Sequence, residues 1–262
     1  MDMKQLMVIC LIVVFAAQSC TGTSDMKRIH TEKMSVESFN GIKISRFLNA
    51  KVVKGDEYSV KISVPERYAD SVSVSIDAEN NLRVRLQRED AKKPMKRSEK
   101  FEVEITCPAF DRVFAEDGSG IEVMPGFAFE NVELNAHALA AISIKEWVKV
   151  ENSCKIDARD LSKVQLNVET ENLEVKSGSL SSVTLVGTVA NLNASASDMS
   201  KINSRKLTAK IVHAKAGDMS EIFVHADEKL ELEASDMSRI RYTGAGEVEK
   251  NHCEGMSTIR KK

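Results

Sequence analysis

The chain has 262 residues, 42% of them hydrophobic, and its 37 Lys and Arg nearly balance 39 Asp and Glu for a net charge of −2. A surface dense in both signs favours solubility and gives no case for a nucleic-acid partner. Five cysteines without a CxxC pair argue against a disulfide framework.

Residues 1–19 read as a lipoprotein signal peptide. Lys4 supplies a weak positive start, Leu6 to Ala17 is apolar, and Ala17-Gln18-Ser19 precedes Cys20. About a dozen apolar residues are too few to span a bilayer and fit export. Small residues before a cysteine form a loose bacterial lipobox, so Cys20 is the expected lipidation site. Acylated Cys20 would then hold the chain to the lipid bilayer of the bacterial cell envelope, as an outer-membrane lipoprotein facing either the periplasm or the exterior. With Cys10 removed and Cys20 acylated, Cys107, Cys154 and Cys253 remain, an odd number best read as small fillers. Residues 20–35 are polar and read as a flexible tether.

From Val36 to Ile105 apolar and charged residues alternate: Ile42 and Ile44, Ala50 to Val52, Tyr58 to Val64, Val72 to Ile76, Leu82 to Leu86, Phe101 to Ile105. Period two, with Lys54-Gly55-Asp56 and Asn80-Asn81 as separators, predicts strands with one buried face. Pro65 to Asp70 has room for a single helical turn, and Gln87 to Lys100, with Pro94, reads as a solvated loop. These strands are either wider coils of the C-terminal body or a small sheet capping its end.

Residues 106–262 carry a repeat. Taking a small-flanked Leu or Met as marker gives Leu139, Leu161, Leu180, Met199, Met219, Met237 and Met256, separated by 22, 19, 19, 20, 18 and 19 residues. Three copies read Asp-Met-Ser, at Asp198, Asp218 and Asp236. The residues between markers alternate, as in Val164-Gln165-Leu166-Asn167-Val168, and no copy holds a helical pattern. The prediction is an all-β fold, a right-handed parallel β-helix or β-solenoid with coils of about 18–22 residues. Coils stacked at roughly 4.8 Å align equivalent residues in ladders. The Leu/Met column is expected as an interior stack, with the preceding Asp closing a turn on its own backbone.

Phe39-Asn40-Gly41-Ile42-Lys43-Ile44, a Val-rich strand, Lys54-Gly55-Asp56 and Asn80-Asn81-Leu82-Arg83-Val84 resemble the opening of the auto-transporter adhesin head GIN domain family of bacterial lipoproteins. The stacked Leu/Met-Ser turns resemble its second half. The resemblance spans roughly Val36 to Arg260 and implies an exported parallel β-helix spanning 36–262, with 36–105 as its N-terminal strands and 106–262 as regular coils. It supplies no catalytic or cofactor-binding residues.

Stacked carboxylates at Asp198, Asp218 and Asp236 would repel by about 3.5 kcal/mol per adjacent pair at an effective dielectric of 20. Solvent or nearby cations offset this, or a Ca²⁺ ion held with the neighbouring serine hydroxyls. The same Asp face, on an open side, is what a β-helical polysaccharide-cleaving enzyme would use. His137, His213, His225 and His252 fall at dissimilar coil positions, with no nucleophile or metal-ligand spacing. Trp147, in the 22-residue coil, reads as a bulge residue able to contact carbohydrate or protein. The reading that emerges is a non-enzymatic surface module for adhesion, with an extracellular protein or glycan as partner, no cofactor and no nucleic acid.

Overall fold

The computed structural model describes residues 28–87 and 99–262. The signal segment, Cys20 and most of the Gln87–Lys100 loop lie outside the described residues. In chain order the strands are β1 (Ile29–Ser35), β2 (Gly41–Ser45), β3 (Asn49–Lys54), β4 (Ser59–Pro65), β5 (Val72–Ile76), β6 (Asn81–Leu86), β7 (Glu102–Cys107), β8 (Arg112–Ala115), β9 (Gly120–Val123) and β10 (Phe129–Ala136). They continue as β11 (Ala141–Ala158), β12 (Lys163–Ser177), β13 (Ser182–Ala196), β14 (Lys201–Ala216), β15 (Glu221–Ala234), β16 (Arg239–Thr243), β17 (Glu247–Cys253) and β18 (Thr258–Lys261). The turn read at Pro65 to Asp70 is a 3₁₀ helix, Glu66–Ser71.

The strands stack into a parallel β-solenoid. One lateral face runs β7, β3, β9, then the leading parts of β11 to β15, then β16 and β18. The other runs β6, β2, β8, β10, then the trailing parts of β11 to β15, then β17. Each strand from β11 to β15 therefore bends and serves both faces. Alternation sends every second side chain inward. One interior ladder is Ile142, Val164, Val183, Ile202, Ile222, Ile240 and Ile259. A second, Ala136, Ala158, Ser177, Ala196, Ala216 and Ala234, is small throughout because it lies at the narrow end, where the chain turns into the next coil.

The N-terminal strands combine both arrangements left open by the sequence. β2–β3 and β6–β7 are solenoid coils, and β2–β3 is stacked between the later coils β6–β7 and β8–β9. β4, β5 and β1 pair antiparallel and cover the end, β4 on β7, β5 on β6 and β1 on β4. Such a cover removes a bare parallel edge that would invite pairing with another chain. Edge-to-face contacts of Phe39 with Tyr58 and Tyr68 with Phe101, at 5.0 and 5.1 Å between ring centroids, pack it down. Ile29–Ser35, which the sequence places in the tether, belongs to this cap, with Ile29 opposite Pro65 and Ser35 opposite Ser59.

Candidate functional site

Each regular coil closes through a four-residue turn. In Ser197-Asp198-Met199-Ser200 the Ser200 N–H donates to the Ser197 carbonyl at 3.1 Å, and equivalent bonds close the turns at Gly178, Gly217 and Ser235. Both central residues take left-handed backbone: Asp198 and Met199 have φ of 51° and 57°, Asp218 and Met219 50° and 59°, Asp236 and Met237 52° and 61°. Two successive positive φ angles mark the type I′ turn, here leading from one coil into the next rather than closing a hairpin, since the strands it joins stack parallel. Asp tolerates this region because its short polar side chain bonds locally, as Asp198 Oδ2 does in accepting from Ser197 Oγ at 2.9 Å.

That turn overturns the expected interior position of the Leu/Met column. Leu139 is 65% exposed, and Met199, Met219 and Met237 are 51%, 51% and 50% exposed. The central residues of the turn project from the coil's edge, so the inward file is the β-branched residue three places later, Ile202 after Met199 for example. The marker N–H groups form their own ladder along this edge, Met199 to the Asp218 carbonyl at 2.8 Å and Met219 to the Asp236 carbonyl at 2.9 Å. Phe47, also at positive φ, continues the apolar file past Gly118, where a Cβ would stand 2.8 Å from the Phe47 ring.

The serine after each of Leu180, Met199, Met219 and Met237 is buried. Its Oγ donates to a carbonyl of the preceding coil: Ser181 to Ala158 at 2.7 Å, Ser200 to Ser177 at 2.7 Å, Ser220 to Ala196 at 2.9 Å, Ser238 to Ala216 at 2.8 Å. A buried hydroxyl needs such a partner, and a carbonyl can accept two bonds. The sequence reading offers these serine hydroxyls to a Ca²⁺ ion, whereas the structure turns Ser200, Ser220 and Ser238 inward onto carbonyls; their repetition is the available signal for a hydrogen-bonded ladder.

Asp198, Asp218 and Asp236 are exposed beside the apolar file. Among the described residues no group of three or more His, Cys, Asp or Glu is placed to hold a metal ion. The histidines find separate partners on the outer faces: His213 with Glu231 at 3.2 Å, His225 with Thr243 at 2.8 Å, His252 with Glu254 at 2.6 Å. Cys107 and Cys154 are buried, and desolvation pushes both thiols up to about 12; Cys253 is exposed.

The 22-residue coil owes its length to two irregularities in β11, one between Ile144 and Val148 and one between Val150 and Ser153. The first carries Trp147, 62% exposed. The Trp147 ring reaches over Gly187, which has φ 136° and whose added Cβ would lie 1.8 Å from the Val168 carbonyl oxygen and 3.1 Å from the indole. A further irregularity, in β14 between the partners of Thr184 and Val186, adds a residue. It turns Ser204 inward and lets Arg205 lie 3.6 Å over the ring of Phe223, a residue the sequence reading did not single out.

The profile of the family described as "Putative auto-transporter adhesin, head GIN domain" matches residues 38–246. The chain belongs to that family. This head GIN domain superposes on a putative adhesin from Parabacteroides merdae with TM-score 0.83 and 17% identity, covering 90% of this chain and 97% of the other. A putative adhesin from Parabacteroides distasonis gives TM-score 0.82 and 17% identity over 90% and 98% of the two chains. A putative lipid binding protein from the same species gives 0.75 and 12% over 90% and 98%. At these identities the likeness carries the fold. No curated protein sequence matches this head GIN domain.

Proposed function

We propose that the chain is a non-enzymatic lipoprotein of the bacterial envelope, anchored in the outer membrane through Cys20, whose solenoid serves adhesion or contact with an extracellular protein or glycan. The observation that supports this reading is the exposed Leu/Met file. A left-handed conformation costs a residue other than glycine roughly 1–2 kcal/mol, and six large apolar side chains from Leu139 to Met237 hold it in water. Glycine would close the same turns without that strain, as Gly118 does after Asp117. Retaining an exposed apolar side chain at a strained position points to contact rather than folding.

Replacing Met199, Met219 and Met237 together by glycine tests this reading. Cells displaying the variant are expected to lose attachment to host-cell or matrix surfaces while the purified protein keeps its melting temperature. Undiminished attachment would overturn it. Cys20→Ser is expected to abolish incorporation of a labelled fatty acid and to release the protein from the membrane fraction. Release of reducing ends from a glycan panel, lost in Asp218→Asn, would establish the cleaving enzyme in place of the adhesin.

A further inference from the structure

Around Phe223 the outer face carries a concentration of positive charge that the composition hides. Phe223 sits at an outward position, between Asn203 and Arg241 in register, yet is only 2% exposed. Cations cover it: Arg205 at 3.6 Å from the ring centroid, Lys201 and Arg241 at 5.1 Å each. Lys201, Arg239 and Arg241 all pair with one carboxylate, Glu221, at 3.1, 3.7 and 2.9 Å. Four cations cluster around one paired carboxylate, so the strand face itself is positive, while Asp198, Asp218 and Asp236 stand at the turn edge beside it, in a chain whose net charge is −2.

Trp147 lies beside this patch through the register. Its ring covers Gly187 on β13, and Gly187 and Val186 pair with Leu207 and Lys206 on β14, directly after Arg205. The two irregular strands thus bring an exposed indole, reaching β13, and a guanidinium stacked on Phe223 of β15 to one corner, about two 4.8 Å coil steps apart. Bulges of this kind re-aim side chains, and neither is needed to close the solenoid, since β12 and β13 pass the same corner in unbroken register.

From this juxtaposition we infer that the face spanning Trp147 and the Phe223 cluster binds an acidic polysaccharide, a sugar polymer bearing carboxylate or sulfate groups. The indole offers a flat apolar surface to a sugar ring. The guanidinium groups of Arg205 and Arg241, held in place on Phe223, offer forked donors to its anionic groups. A flat strip of parallel strands suits an extended polymer crossing several coils. An extended polymer can lie along the strands over Arg205 and Arg241 without crossing the turn edge where Asp198, Asp218 and Asp236 are exposed, whereas an anionic bilayer, broader than the face, would meet those carboxylates as well. The inference rests on the reading of the chain as a surface interaction module and names one of its ligands.

The test uses the full chain in low-salt, calcium-free buffer, with polygalacturonate, dextran sulfate, neutral dextran and phosphatidylglycerol vesicles as probes. Because Trp147 is the chain's one tryptophan, its fluorescence reports occupancy directly. At least one acidic polymer is expected to bind and to change that fluorescence, while neutral dextran does neither. Trp147→Ala and the pair Arg205→Glu with Arg241→Glu are each expected to weaken binding about tenfold or more, with the charge pair also flattening the salt dependence. Arg205→Lys with Arg241→Lys, which keeps charge without the forked donors, is expected to recover part of the binding and guards against a folding artefact. Absence of polymer binding, binding insensitive to both sets of variants, or preference for the vesicles would overturn the inference. If attachment of cells still depends on Met199, Met219 and Met237 in that event, the adhesion reading stands alone; if it does not, both fail.

Discussion

Ser200 and Ser162 occupy the same place in turns two coils apart and make opposite predictions. Ser200 Oγ bonds the Ser177 carbonyl, which also accepts the Ser197 N–H at 3.0 Å. Ser200→Ala removes one bond without orphaning the acceptor, so the expected loss is about 1 kcal/mol. Ser162 is equally buried, yet its hydroxyl has no hydrogen-bond partner among the described residues. Removing an unsatisfied buried hydroxyl relieves its desolvation, so Ser162→Ala is expected to leave stability unchanged or raised. Urea denaturation of the two variants side by side checks the pair. For Met219→Gly, relief of left-handed strain, about 1 kcal/mol, runs against the extra freedom glycine gives the unfolded chain, about 0.5–1 kcal/mol. A stability equal to or slightly above the parent's is expected by the same measurement.

At the scale of elements, the buried thiols give the core a pH signature. Cys154 stands in the interior ladder between Val132 and Leu173, and Cys107 ends β7. Burial raises both from the ordinary value of 9.0 to about 12, so the folded chain holds protons that the unfolded chain gives up between those values. Their contribution is fully present below pH 9 and is lost as the pH climbs towards 12. Cys107→Ala with Cys154→Ala is expected to flatten that part of the alkaline decline in melting temperature relative to the parent. Of the three described thiols, only Cys253 is expected to react with a thiol reagent before denaturation. The cap is a second element-scale case. Deleting Ile29–Ser35 uncovers one edge of β4, and concentration-dependent aggregation by light scattering is the expected result.

At the scale of the molecule, stability is a sum over coils and the contacts between neighbours. Residues 182–200 form one 19-residue coil running from just after one buried turn serine to the next, Ser181 to Ser200. Removing them joins equivalent positions and keeps every inward residue inward. A folded, shorter solenoid with a lowered melting temperature is expected by circular dichroism. Removing an odd half-coil such as 182–190 would reverse the faces of the adjoining strand, and loss of cooperative melting is expected.

The strands from Val36 to Ile105 were legible because alternation at period two is a local property. β1 was not, since His30 to Lys33 is polar and becomes a strand only by lying against β4. Trp147 was visible as an anomaly of spacing, whereas Arg205 and Phe223 were not, because their stacking arises from an extra residue in β14 that period alone does not reveal.

The sequence by itself determined the solenoid, its coil length and the family, since a recurring pattern of aliphatic, small and turn-forming residues specifies stacked strands wherever it occurs. Only the tertiary structure decided the phase of that pattern and the order of the coils. Whether a Leu or Met points in or out depends on the sign of φ in its turn, fixed by bonds to the next coil. Likewise β2–β3 slots between β6–β7 and β8–β9 through pairings between distant residues, which no local period encodes.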